Sequence, residues 1–273
     1  MSRVAPVLKY PGSKWNIAEW IISYFPPHTS YLEPFFGSGA VFFSKKPSYC
    51  ETINDISGDV VNLFKVIRDH PNQLSKLIEY TPWARAEYDM SYEKTEDDIE
   101  NARRFLIRCW MAFASSTSAR VGWKNDVRGR AGAAGYKIWQ KVPDRIYNIT
   151  SRLKQAQIEN KTALEIIKRH RYSEILIYAD PPYPLATRSG KIYAYEMTDI
   201  DHEQLLDALM EHPGPVVLSG YSCDLYNNKL KEWEVKTKMA AAEKGNSREE
   251  VIWINPVASG ANRSLFNING EGK

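Results

Sequence analysis

The 273-residue chain, 31.3 kDa, carries 36 basic and 33 acidic residues, a formal charge of +3 that is too mild to imply nucleic acid by itself. Its three cysteines are odd in number and form no Cys-x-x-Cys pair, which argues against a disulfide scaffold or a structural zinc site. The start lacks an apolar signal core and no stretch reaches the roughly 20 apolar residues that span a bilayer, so a cytoplasmic chain without membrane contact is expected.

Ile17, Trp20, Ile21 and Tyr24 share one helical face. A short strand over 31–33 follows and runs into Glu33-Pro34-Phe35-Phe36-Gly37-Ser38-Gly39, with 40–43 opening a helix. A second strand over 51–54 ends in Asn54-Asp55, and Val60, Leu63, Phe64 and Ile67 then mark another helix. From about 60 to 153 helical patterns dominate, the longest over 97–114, which reads as an inserted helical domain.

Within that insert, residues 115–136 form a loop with four glycines, Trp123 and Tyr136. Between 115 and 145 seven basic residues face two acidic ones, so the charge of the chain is concentrated here. Strands are expected again over 156–159, 175–179, 215–219, 234–238 and 250–254, with a helix carrying Leu205, Leu206 and Leu209 after a capping Asp201. Strands alternating with helices predict an α/β chain built on a mainly parallel sheet.

Four motifs can carry chemistry. The glycine-rich turn lets a ligand approach the backbone, with helix N–H groups pointing at it, although a plain structural turn explains it as well. Asp55, at the end of the second strand, is placed to accept hydrogen bonds from ribose hydroxyls, and equally to cap a turn. The apolar strand 175–179 ends in Asp180-Pro181-Pro182-Tyr183, where the prolines stop the ladder and present an acid, a fixed carbonyl and an aromatic ring together. The opening loop Lys9-Tyr10-Pro11-Gly12-Ser13-Lys14 says little alone.

In order and spacing, the four motifs together resemble the Dam-type, D12-class DNA adenine-N6 methyltransferases, over nearly the whole chain. The resemblance implies a Rossmann-like S-adenosylmethionine-dependent sheet with helices on both faces, formed by 1–59 and 154–273. It also implies a mainly helical target-recognition domain with a hairpin loop over 60–153. Tyr10, Lys14, Glu33, Phe35, Gly37, Gly39, Asp55 and Asp180 are then cofactor residues, and Asp180, Pro181, Pro182 and Tyr183 the catalytic motif.

The implied reaction moves a methyl group from S-adenosylmethionine to N6 of an adenine flipped out of double-stranded DNA. Arg120, Trp123, Lys124, Arg128, Arg130 and Lys137 are the expected DNA contacts. No metal is required, and a monomer or weak dimer with a cognate restriction endonuclease as partner is expected. Cytosine-N4 or RNA adenine-N6 transfer, or an inactive DNA-binding relative, are the alternatives. A nicotinamide oxidoreductase would leave Asp180 to Tyr183 without a role. A nuclease built on Pro143-Asp144 and Glu234-Val235-Lys236 would need halves about ninety residues apart.

Overall fold

The computed structural model describes residues 4–114, 117, 119–125, 135–188, 190–241 and 247–260. Within these, one seven-stranded sheet contains β1 (Ser30–Glu33), β2 (Cys50–Asn54), β3 (Gln157–Glu159), β4 (Ile175–Ala179), β5 (Val216–Gly220), β6 (Glu234–Ala241) and β7 (Ser247–Ile254). The order is β3-β2-β1-β4-β5-β7-β6: the first five strands run parallel, and β7 enters antiparallel between β5 and β6. Every strand expected from the sequence is present, and β4 keeps its expected ends. β6 and β7 are longer than their apolar runs, because their mutual ladder from Glu234↔Ile254 to Ala241↔Ser247 persists beyond the buried stretch.

The central parallel strands β4 and β5 are buried at every position because both sheet faces are covered there, and β4 reads as a continuous apolar run. Successive residues supply opposite faces: Tyr31, Leu176, Val217 and Ile252 join one apolar cluster, while Leu32, Ile177, Leu218 and Trp253 join the other. The first face is covered by α1 (Ala18–Ile22), α2 (Ala40–Ser44) and α3 (Gly58–Asp69), through Ile21, Phe42 and Phe64.

Between α3 and β3 the chain forms α4 (Pro71–Glu79), α5 (Arg85–Met90), α6 (Asp98–Met111), α7 (Gly135–Trp139) and α8 (Val142–Leu153). Leu74, Tyr88, Leu106, Trp139 and Ile146 of these helices continue the same cluster, so sheet and helical segment share one apolar core. Asp97 caps α6 by accepting from the N–H groups of Ile99 and Glu100. This helix stops at Met111, short of the expected 114, because the chain turns into extended pairing: Phe113 N–H donates to Gly122 O at 2.8 Å and Lys124 N–H to Met111 O at 2.7 Å.

The second face is covered by α9 (Ala163–Arg169), α10 (Asp199–Met210) and α11 (Asp224–Lys229), through Ile166, Leu205 and Tyr226. α10 corrects one expected cap. Thr198, not Asp201, is the N-cap, and Asp201 closes a reciprocal capping box three residues on. Among the described residues no helix is long and apolar enough to cross a membrane.

Candidate active site

The strand order reverses direction between β1 and β4, and ligands of open α/β sheets bind just outside the carboxyl ends at such a point. A cavity of about 380 Å³ lies there. Of the residues expected at the site, Tyr10, Lys14, Glu33, Phe35, Gly37, Asp55, Asp180 and Pro182 line it. Gly39, Pro181 and Tyr183 do not.

The glycine turn is shaped by its neighbours. Gly37, at φ 49°, donates its N–H to Asp55 Oδ2 at 2.8 Å, and a Cβ there would meet the Tyr10 ring at 3.1 Å. Gly39, at φ 66°, leads directly into α2, where a Cβ would fall 2.5 Å from Phe36 Cζ and 2.6 Å from Phe43 Cε2. Packing, rather than ligand contact, therefore requires glycine at 39.

Asp55 bridges two backbone donors, Gly37 through one oxygen and Ser57 through the other at 2.9 Å. It holds the turn and still lines the cavity, since each carboxylate oxygen has a second lone pair. Burial pushes its carboxyl up to about 6, against the lowering effect of both N–H groups. Glu33, at the end of β1, is 2% exposed, accepts the Tyr31 hydroxyl at 2.7 Å and is pushed up to about 8, chiefly by burial.

Asp180 follows β4 and is also raised by burial, opposed by the Lys14 ammonium 3.0 Å away. Lys14 donates to Gly12 O at 2.6 Å as well. Burial alone would lower its pKa, but Asp180, followed by Glu250, outweighs that and holds it above the ordinary lysine value. Lys14 is therefore the ion-pair partner of the motif aspartate, a role its loop gave no sign of. Tyr183 is buried, donates its hydroxyl to Glu250 at 2.7 Å, and packs edge-on against Tyr221 with ring centres 4.5 Å apart.

Several wall residues had not been anticipated. Tyr193, Tyr195, Glu196 and Met197 come from the segment after Asp180-Pro181-Pro182-Tyr183, whose aromatic run was the available signal. Glu196 pins that segment by pairing with Arg188 and accepting the N–H groups of Ile192 and Tyr193 at 2.8 and 3.0 Å. Thr117, from the helical segment, accepts from Ala194 N–H and donates its own N–H to Ile192 O at 2.9 Å. Thr162, Ala163 and Leu164, at the start of α9, complete another part of the wall.

The expected DNA contacts divide. Arg120 pairs with Asp89 and lies 5.0 Å from the Tyr92 ring centre, while Trp123 packs half-buried beneath the Arg85 guanidinium at 4.8 Å. Lys124 is part of the short extended pair with Met111, and Lys137 is exposed on α7. Arg128 and Arg130 lie outside the described residues.

The model of the D12 class N6 adenine-specific DNA methyltransferases matches residues 10–245. The DNA adenine methylase of Escherichia coli strain K12 is 21% identical over 267 residues, covering 92% of this chain and 94% of that protein. Two proteins named as type II methyltransferases are each 24% identical. M1.LlaDCHI of Lactococcus lactis aligns over 91% of this chain and 93% of its own, and M.MjaIII of Methanocaldococcus jannaschii over 92% and 97%. With the four motifs set around one cavity at the switch point, and the family match running through all of them, the chain belongs to the D12 class of N6 adenine-specific DNA methyltransferases.

Proposed function

We propose that the cavity binds S-adenosylmethionine and that Asp180 and its motif act on the N6 amine of an adenine flipped out of double-stranded DNA. The observation that carries this reading is the acidic character of the cavity wall: the buried carboxyl groups of Glu33 and Asp55 and the partly buried Asp180 share it with one cation among its lining residues, Lys14. Such a wall suits a cationic ligand. Aromatic faces of Tyr10 and Phe35 add attraction for a sulfonium, and Asp55 at the end of β2 is placed for ribose hydroxyls. Bound there, S-adenosylmethionine would supply an electrophilic methyl group.

The chain's own residues do the rest. Adenine N6 is a poor nucleophile because its lone pair is delocalised into the ring. The Asp180 carboxylate and the Pro181 carbonyl would accept the two N6 hydrogens, drawing the lone pair toward the methyl group, so positioning and electrostatics supply most of the rate. The Tyr183 ring would stack on the base, helping to offset the few kcal/mol that flipping costs.

On this reading, 1–59 and 154–273 form the catalytic part and 60–153 the target-recognition part. Arg120, Lys124, Arg128, Arg130 and Lys137 serve the phosphates and bases, with Trp123 as their packed support. The type II names of two relatives support a restriction-modification setting with a cognate endonuclease, and the reaction is cytoplasmic. The test is transfer of labelled methyl from S-adenosylmethionine to unmethylated genomic DNA, with the modified base mapped by sequencing. N6-methyladenine at one short motif, lost in Asp180→Ala, is the expected result. Labelled RNA with unlabelled DNA, or cofactor binding without transfer, would overturn the reading.

A further inference from the structure

Glu250 lies beyond the part of the chain that the family model matches, residues 10–245. It is carried by β7. Val251 pairs with Gly220, the last residue of β5, so Glu250 stands level with Tyr221 at the carboxyl edge of the parallel strands. Ile252 and Ile254, on the same face of β7, are buried in the apolar cluster, and an apolar side chain at 250 would continue that pattern. A carboxylate there is costly, because it adds a like charge that helps raise the pKa of Asp180.

Among the described residues the carboxylate is hydrogen-bonded to a single ring. Tyr183 hydroxyl donates to Glu250 Oε2 at 2.7 Å, in the range of a charge-assisted bond. Tyr221 meets the Tyr183 ring at 68°, and Arg248, two residues before Glu250, lies 5.7 Å from the Tyr221 ring centre. Lys14 Nζ, which holds Asp180 at 3.0 Å, is 4.7 Å from the centre of the Tyr183 ring. Glu250, Tyr183, Lys14 and Asp180 thus form one chain of contacts. The hydroxyl oxygen lies on the axis of the ring, so its bond to Glu250 fixes where the ring points and how far it sits from the aspartate, while the edge of Tyr221 and the Lys14 ammonium hold its plane.

We propose that Glu250 is a positioning residue for methyl transfer, holding the Tyr183 ring in the place where the flipped adenine stacks beside Asp180. This rests on the stacking role given to Tyr183 above. The effect falls on the base and not on the cofactor, since neither Glu250 nor Tyr183 lines the cavity.

The experiment uses the full chain, S-adenosylmethionine, and a duplex carrying the mapped target with 2-aminopurine in place of the methylated adenine for the fluorescence arm. Glu250→Ala and Tyr183→Phe each should slow single-turnover methylation about tenfold, the cost of losing one charge-assisted hydrogen bond. Cofactor affinity should stay unchanged, and the 2-aminopurine signal of the flipped base should change in both variants. Glu250→Gln, which keeps an acceptor, should remain within about threefold of the parent. The double variant should be no slower than either single one, because both remove the same bond.

A parent rate in Glu250→Ala, or additive losses in the double variant, would overturn the proposal. If Glu250→Ala does not fold, a parent rate in Tyr183→Phe overturns it equally. Failure of the parent chain to methylate DNA would instead strike the reading of the whole site.

Discussion

The two ends of β1 and β2 both bury charge, and they do so to different effect. At the amino end, Glu51 is 1% exposed and is bonded by Lys45 at 2.5 Å, by Arg152 and by the N–H of Ser48 at 3.0 Å. Burial would raise its carboxyl, but Arg152 and Lys45 outweigh that and hold it below the ordinary glutamate value. His28 and Ser48 close the cluster, 2.9 Å apart. At the carboxyl end, Glu33, Asp55 and Asp180 are raised by burial; Lys14 pairs with Asp180, and among the described residues no cation forms a salt bridge with Glu33 or Asp55. Compensated charge makes a joint between elements, and raised carboxyl groups without paired cations beside a cavity mark a candidate binding site.

Breaking the compensated end should have the largest effect on stability. Glu51→Ala leaves Lys45 and Arg152 buried without their carboxylate, and should cost roughly 3–5 kcal/mol in denaturant unfolding. A loss under 1 kcal/mol would make this cluster no different from a surface pair.

At the carboxyl end the loss should appear as rate. In the proposed mechanism Asp180→Asn keeps an oxygen acceptor but removes the charge that would draw on the N6 hydrogens, and should slow single-turnover transfer about a hundred- to a thousandfold with the fold intact. Equal losses of rate and of melting temperature would place Asp180 with the structural charges instead.

Glu33 sharpens the contrast through pH. Its folded value, about 8, lies above the ordinary 4.5, so between these the folded chain holds a proton that the unfolded chain has lost. Stability of the free protein should therefore fall as pH rises through that window, and Asp55 adds the same sign between 3.8 and about 6. A cationic ligand favours the ionised carboxylate, so S-adenosylmethionine should bind more tightly as pH rises toward 8. Calorimetric titrations at several pH values should show this slope in the parent and its loss in Glu33→Gln. An unchanged slope in that variant would assign the proton elsewhere.

The smallest effect is expected on the exposed helix surface. Lys137→Ala should reduce the salt dependence of DNA binding by about one unit of slope, with sequence preference unaltered. Fluorescence anisotropy across salt concentrations measures it, and an unchanged slope would remove Lys137 from the phosphate contacts.

Much of this was legible before any coordinates. The central strands β4 and β5 stand out as apolar runs because both faces of the parallel sheet are covered there, and the motifs follow the ends of β1, β2 and β4. Eight of the eleven residues expected to hold the cofactor or do the chemistry line one cavity. What stayed hidden was pairing across the chain: Lys14 with Asp180, Tyr183 with Glu250, and Thr117 with the segment that bears Tyr193. The carboxyl end of α6 shifted for the same reason, since pairing with 122–124 stops the helix, whereas the cap of α10 moved to Thr198 through a local capping box with Asp201.

The sequence by itself determined the fold class, the order of the strands and the family, because apolar periodicity and short motifs are local properties of the chain. Only the tertiary structure decided which charged groups are compensated and which are left without a paired cation. That depends on side chains brought together from distant positions, such as 14 and 180 or 183 and 250, and on how far water is excluded around them.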